Sequence, residues 1–242
     1  MTGDQKVFAT IAASALVTVL LFSTPTTARA QTITNMTTGG TISLATVIDN
    51  NLEVQVGDKL FGNFFFSYLD TDGLTSDDLT RSNVTLSTIA NVIGFGLQFQ
   101  QPLLAIGPVV KDITIQYTAA VTNPTNFISD IHLSITGSAG NGGLGTVGEN
   151  AFDNGFGGTS VGQLQASIPA SSNDVASANI VPPVTELWVE KDVIVTGNSA
   201  ANGFASISVI NQTFSQVPEP STVLLVGLGL LGMVAVNRKR KS

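Results

Sequence analysis

The sequence has no cysteine, one tryptophan, one histidine and few charged side chains, which make up only 11% of its residues. The absence of cysteine excludes disulfide frameworks and cysteine-based zinc sites, and a single histidine excludes histidine-rich metal sites. Ten Lys and Arg residues are too few for a nucleic-acid binder. At 43% apolar residues, the chain is also too hydrophobic for a disordered protein.

The N-terminus, residues 1–30, has the pattern of a secretory signal peptide. Lys6 precedes an uncharged, mostly apolar run over 7–22, and the small residues Ala28 and Ala30 follow at alternate positions. Signal peptidase accepts small side chains at such positions, so we expect it to cleave after Ala30. The apolar run is shorter than the about 20 residues that a retained membrane anchor needs.

The C-terminus, residues 217–242, also reads as a targeting segment. It consists of a proline-containing motif, an uncharged run and a basic cluster, at residues 217–221, 222–236 and 238–241. A helix over the uncharged run reaches only about 23 Å, short of a bilayer core of about 30 Å, so it predicts a marginal transmembrane helix. The four cations would hold the C-terminal end in the cytoplasm and leave the preceding domain outside.

This tail resembles the PEP-CTERM sorting domain, which is also labelled an ice-binding protein C-terminal domain. The motif residues Pro218, Glu219 and Pro220, the Gly- and Leu-rich helix and the basic cluster carry the resemblance. It implies processing by exosortase, a membrane peptidase of Gram-negative bacteria that make exopolysaccharide. The two prolines disfavour helix and keep the motif extended for a peptidase.

The intervening segment, residues 31–216, predicts one acidic all-β domain. It contains fifteen carboxylates against four cationic side chains, which disfavours binding to nucleic acid or anionic lipid. Apolar and polar residues alternate or cluster in strand-length runs separated by Gly, Asn, Asp and Pro. The strand predictions are 52–56, 60–69, 84–89, 95–100, 113–119, 131–136, 161–168, 187–195 and 205–209. With no alternating helices and only a short helix at 43–50, we expect an antiparallel β-sandwich rather than a barrel.

A glycine-rich stretch over 137–162 contains a G-x-G-x-x-G pattern from Gly140 to Gly145. A dinucleotide site needs a helix that opens at the last glycine, and the following Gly, Asn and Asp residues cannot sustain one. We therefore interpret the stretch as a mobile loop.

Four carboxylates follow the second predicted strand, at Asp70, Asp72, Asp77 and Asp78. Oxygen ligands of this kind suit calcium, which is plentiful outside cells. The spacing does not fit an EF-hand, so a solvated turn without any cofactor is the competing interpretation.

The only tryptophan lies in the predicted strand 187–195. Alternation would place Trp188 on the solvent-exposed face of the sheet with Glu186 and Glu190. There an exposed ring can stack on a sugar, and the carboxylates can accept hydrogen bonds from its hydroxyl groups. Burial against the other sheet is the commoner fate of a tryptophan. Glu190 and Asp192 stand about 6.6 Å apart at strand spacing, as in inverting glycosidases, but a flat strand offers no cleft.

The only histidine, His132, falls on the polar side of its strand. A Ser-His-Asp catalytic triad needs a serine and a carboxylate beside the histidine in a sheltered cleft. We therefore interpret His132 as a surface residue without a catalytic role.

Together these patterns predict a non-enzymatic protein that is exported, transiently anchored in the inner membrane and then placed at the cell surface or in the extracellular matrix. Signal peptidase and exosortase would process it, and exopolysaccharide is the expected partner. A saccharide-binding module, a calcium-dependent surface protein and a hydrolase remain alternatives.

Overall fold

The computed structural model describes residues 32–71, 80–91, 94–168, 172–199 and 202–218. These residues form thirteen strands and one helix. In chain order they are β1 Thr32–Asn35, β2 Thr41–Ser43, α1 Leu44–Asp49, β3 Leu52–Val56, β4 Lys59–Asp70, β5 Thr85–Ala90, β6 Phe95–Ile106, β7 Val110–Val121, β8 Asn126–Gly140, β9 Leu144–Asp153, β10 Thr159–Ile168, β11 Ser172–Val184, β12 Glu186–Thr196 and β13 Phe204–Pro218.

The strands predicted from alternation are confirmed, because each lies within or closely overlaps an observed strand. The clearest case is β7, where Ile113, Ile115 and Tyr117 are fully buried while Thr114 and Gln116 between them are not. Period-two patterning puts one set of side chains into the core and the other on the outer face.

The strands form two sheets. The seven-stranded sheet has the order β1-β3-β4-β7-β12-β9-β10, and the six-stranded sheet has the order β11-β8-β13-β6-β5-β2. All described pairs are antiparallel except β1 with β3, which run parallel. The prediction of antiparallel architecture is therefore correct for the other strand pairs and wrong for β1 with β3. In the chain, β2 and α1 lie between these two parallel strands.

The core lies between the inner faces of the two sheets, so the architecture is sandwich-like. Phe61 of β4 and Phe214 of β13 come from different sheets, and their ring centroids are 5.7 Å apart. Tyr117 of β7 likewise meets Phe99 of β6 at 5.7 Å. Each large side chain buried in this way stabilises the fold by about 1.5–3 kcal/mol.

The predicted short helix is confirmed as α1. The Ser43 hydroxyl accepts a hydrogen bond from the Thr46 backbone N–H at 3.1 Å and caps the helix N-terminus. Leu44 and Val47 point into the core, so the helix covers the end of the sandwich near β3.

The prediction of a mobile loop over 137–162 is wrong. Most of this stretch belongs to β8, β9 and β10. Two of its glycines lie where a neighbouring strand leaves no space: a Cβ on Gly137 would overlap the Ser206 carbonyl oxygen, and one on Gly143 would overlap that of Phe204. Glycine is required here by close packing of strands, and composition alone cannot separate that role from a loop.

Candidate functional site

Trp188 lies on the outer face of the seven-stranded sheet. Its neighbours in sequence, Leu187 and Val189, are fully buried, while Trp188 is half-buried and Glu186 is exposed. Of the two interpretations that the sequence left open, the structure supports the outward one, and the tryptophan is not part of the core between the sheets.

Cross-strand pairing places polar and aromatic side chains in rows beside Trp188. Trp188 pairs with Thr118 of β7 and Phe152 of β9, and Glu190 pairs with Gln116 and Asn150 of the same two strands. Residues paired in this way share one face of the sheet. We call this surface the Trp188 face and define it by Trp188, Glu186, Glu190, Gln116, Asn150 and Phe152.

The row through Glu190 continues across two more strands. Gln116 pairs with Phe65 of β4, which is 50% exposed, and Asn150 pairs with the exposed Gln163 of β10. Five strands at the usual spacing give a row about 19 Å long.

The indole of Trp188 is held by a second aromatic ring. Phe156, in the turn between β9 and β10, meets Trp188 edge to face with ring centroids 5.1 Å apart. Beside the indole is a cavity of about 320 Å³, lined by Asp153, Asn154, Val184, Thr185, Glu186 and Trp188.

The carboxylates of β12 differ in their surroundings. Glu190 accepts a hydrogen bond from the Gln116 side chain at 2.5 Å. Partial burial, followed by a hydrogen bond with Asp112 and the negative charges of Asp112 and Glu190, raises the pKa of Asp192 to about 6. Asp192 therefore holds a proton under mildly acidic conditions.

The structure brings a carboxylate and a serine to His132, which the sequence did not predict. Asp130 Oδ1 lies 2.6 Å from His132 Nε2, and Ser215 Oγ lies 3.4 Å from the same nitrogen. A catalytic triad uses the two ring nitrogens separately, one for the carboxylate and the other for the nucleophile. This arrangement therefore lacks the geometry of a proton relay.

His132 also borders a groove of about 400 Å³ on the outer face of the six-stranded sheet. Its lining residues include Ile89, Val175 and Asn211, so the groove is a mixed apolar and amide surface. The carboxylate and indole that distinguish the Trp188 face have no counterpart among its lining residues.

Sequence reasoning missed a polar cluster in the core, formed by Lys191, Glu149 and Gln212. One signal could have found it. Lys191 stands at the inward-facing position between Val189 and Val193, where the alternation of β12 calls for an apolar side chain.

Several predicted site residues lie outside the described residues: Ala28 and Ala30 of the signal peptide, Glu219 and Pro220 of the sorting motif, and Asp72, Asp77 and Asp78 of the acidic turn. Pro218 ends β13, and Asp70 ends β4. Within the described ranges, no group of three or more His, Asp or Glu residues is arranged to hold a metal ion.

The predicted transmembrane helix, 222–236, also lies outside the described ranges. Within them, no helix is both long and apolar enough to cross a bilayer.

Comparison with protein families identifies the C-terminal tail. The family model described as the PEP-CTERM protein-sorting motif matches residues 216–241. The chain carries a PEP-CTERM sorting domain. This motif implies an exported protein that is sorted to the cell surface and processed by exosortase. No curated protein matches the chain.

Solved structures similar to this PEP-CTERM protein resemble it only weakly. The enzymatically active domain of tailspike protein 4 from bacteriophage CBA120 is 15% identical with a TM-score of 0.30, and the match covers 63% of this chain and 19% of that one. The CBM36-1 domain of a multidomain xylanase from the hindgut metagenome of Trinervitermes trinervoides is 14% identical with a TM-score of 0.25, covering 61% and 96%. A carbohydrate-binding module CBM36 in complex with calcium and xylotriose has the same identity and TM-score, covering 61% and 99%. Similarities this low carry no argument about function.

Proposed function

We propose that this PEP-CTERM protein is a non-enzymatic surface or matrix protein that binds neutral exopolysaccharide through the Trp188 face. The observation that carries the proposal is the row of aromatic, amide and carboxylate side chains on the outer face of the seven-stranded sheet.

The chemistry of the Trp188 face suits a sugar polymer. An indole offers a flat apolar surface to the C–H face of a pyranose ring, and the Glu190 carboxylate accepts hydrogen bonds from sugar hydroxyl groups. The amides of Gln116 and Asn150 can both donate and accept. Because Phe156 packs against Trp188, little side-chain entropy is lost when a ligand stacks on the ring.

The charge of the domain favours a neutral polymer over an anionic one. Between residues 31 and 216 the carboxylates exceed the cationic side chains by eleven, and Glu186 and Glu190 lie on the Trp188 face itself. An acidic polysaccharide would be repelled by this surface.

The open shape of the face argues against hydrolysis. Glycosidases hold their two carboxyl groups in a cleft that distorts the sugar and excludes water. Glu190 and Asp192 project from an open sheet, Glu190 is already bonded to Gln116, and Asp192 is bonded to Asp112.

Affinity electrophoresis in gels that contain neutral polysaccharides tests the binding. We expect the wild-type chain to be retarded and Trp188→Ala to bind about 2- to 12-fold more weakly, if the stacked ring contributes about 0.5–1.5 kcal/mol as an aromatic pair does. Val175→Ala is the matched control, because Val175 is 67% exposed but lies on the other sheet. Equal mobility of all three proteins on every polymer would contradict the proposal.

A reducing-end assay on the same polymers tests the absence of catalysis. We expect no turnover by the wild type. Hydrolysis that disappears in Glu190→Gln would identify the protein as an enzyme.

A further inference from the structure

Three polar side chains meet in the core between the two sheets. Lys191 of β12 and Glu149 of β9 are cross-strand partners in the seven-stranded sheet, and Gln212 comes from β13 of the six-stranded sheet. Lys191 and Gln212 are 0% exposed, and Glu149 is 2% exposed. Lys191 Nζ contacts Glu149 Oε2 and donates a hydrogen bond to Gln212 Oε1 at 2.6 Å. A primary amine therefore contacts both a carboxylate and a carboxamide without access to water.

If Lys191 and Glu149 form an ion pair, several polar atoms of the cluster lack hydrogen-bond partners. A buried pair is stable only when its remaining polar atoms are hydrogen-bonded. Within the described part of the chain, Glu149 Oε1, Gln212 Nε2 and the Tyr117 hydroxyl have no partner. Burial lowers the pKa of Lys191, although the charge of Glu149 and its hydrogen bond oppose the effect. The neutral, nucleophilic amine is favoured relative to an ordinary lysine.

We propose that Lys191 and Gln212 become joined by an amide bond inside the folded protein, with Glu149 carrying the proton. The three side chains supply the nucleophile, the acyl group and the general base that such a reaction needs.

The step balances without any other reactant. Glu149 first takes a proton from the Lys191 ammonium, which leaves Nζ neutral, and the Nζ lone pair attacks Gln212 Cδ. Glu149 then gives that proton to Nε2, the Cδ–Nε2 bond breaks, ammonia leaves, and Glu149 takes the surplus proton from Nζ. The product is a secondary amide between Nζ and Cδ, and neither oxidation nor hydrolysis takes place.

The starting geometry allows this attack. The hydrogen bond from Nζ to Oε1 lies at the edge of the carboxamide, while attack requires approach to its face. Rotation about the last side-chain torsion of Gln212 achieves this, because that torsion is broad and Nε2 has no partner to hold it. Burial, followed by the charge of Glu149, raises the pKa of the Tyr117 phenol, so its hydroxyl stays protonated.

The bond would brace the sandwich across its core. β12 lies inside the seven-stranded sheet and β13 inside the other, so the link would join the two layers directly. β13 also leads into the sorting motif, which begins at residue 216. A chain without cysteine cannot make this connection by a disulfide. The inference does not depend on saccharide binding.

A second cluster of the same residue types provides an internal control. Lys59 donates hydrogen bonds to Asp58 Oδ1 and to Gln216 Oε1, both at 2.8 Å, and Gln216 again belongs to β13. The Asp58 side chain is 23% exposed, whereas that of Glu149 is 0% exposed. Lys59 is itself buried, but water reaches the Asp58 carboxylate and can solvate its charge, so we expect no amide bond there.

Peptide mapping of the purified full chain tests the proposal. After denaturation and trypsin digestion, we expect no cleavage after Lys191, because trypsin does not cut after an acylated lysine. The peptide that contains Lys191 and Gln212 should be lighter than its sequence by one ammonia. Complete cleavage after Lys191 with an unchanged Gln212 would overturn the proposal, and this result needs no mutant.

Variants then test the role of each residue. Lys191→Met and Glu149→Gln should both retain the ammonia, and circular dichroism shows whether each is folded. Lys59→Met should lose ammonia as the wild type does. Formation of the bond in a folded Glu149→Gln variant at the wild-type rate would overturn the assignment of Glu149 as the base.

Discussion

The carboxyl group of Asp192 binds a proton more tightly than an ordinary aspartate. Its pKa is raised from 3.8 to about 6, mainly by partial burial and then by the hydrogen bond and charge of Asp112 and the charge of Glu190. The directly opposed residues, Thr114 on β7 and Gly148 on β9, carry no compensating charge. Between about pH 3.8 and about pH 6, Asp192 of the folded protein therefore holds a proton that the same residue has released in the unfolded chain.

This difference predicts that wild-type stability declines as the pH rises through about 6. The contribution of protonated Asp192 to the free energy of unfolding is complete below about pH 3.8. It is lost above the folded pKa, because the fold disfavours the charged form of the Asp192 carboxyl group. Asp192→Asn should match the wild type near pH 4 and exceed it near pH 7 by less than about 1 kcal/mol, since the side chain is largely solvated. Urea unfolding at both pH values measures this. A stability difference that does not vary with pH would contradict it.

Individual residues were predictable from the sequence only where alternation decides their position. The outward position of Trp188 and the burial of Val189 follow from the period of two. The surroundings of Lys191 and His132 do not, because Gln212 and Ser215 belong to β13, and its pairings span long distances in the chain. No local pattern encodes which distant strand supplies a neighbour.

At the scale of strands, the alternation of apolar and polar residues predicted most strands correctly. The high glycine content of residues 137–162 led to the wrong prediction of a loop. A glycine within a strand can mark either an open position or a point where no side chain fits. A Cβ on Gly96 of β6 would overlap the Gln212 carbonyl oxygen of β13. A Cβ on Gly148 of β9 would meet only the Asp192 carbonyl oxygen at 3.9 Å, an ordinary contact.

These two glycines give a matched pair of substitutions. Gly96→Ala should lower the free energy of unfolding by about 1–3 kcal/mol, because β6 and β13 must separate to admit the methyl group. Gly148→Ala should be neutral or stabilising by up to about 1 kcal/mol, because it only restricts the unfolded chain. Chemical denaturation measures both changes. Equal losses in the two variants would show that close packing does not explain Gly96.

The last strand of the domain overlaps the sorting motif. The matched motif begins at residue 216, and β13 continues to Pro218, where it pairs with β8 only. Pairing with β6 ends at Phe214. The backbone of the segment that enters the motif is therefore paired with one strand only, while the Gln216 side chain also accepts a hydrogen bond from Lys59 of β4.

At the scale of the whole molecule, the sequence indicated export and an acidic, mostly β domain more clearly than it indicated a ligand. The targeting pattern is local and can be read directly from residues 216–241. The Trp188 face is assembled from β7, β9 and β12, so its composition depends on strand order. Strand order arises from packing of the whole core, which is why the face could be anticipated only along β12.

The central claim is that export places this domain in the extracellular polysaccharide and that the Trp188 face retains it there. The most direct measurement is the fraction of mature protein that copurifies with polysaccharide from intact cells of a Gram-negative host with exosortase. The wild type and Val175→Ala should be retained, while Trp188→Ala should be exported equally well but released into the medium. Equal retention of Trp188→Ala, or recovery of the wild type inside the cells, would contradict the account.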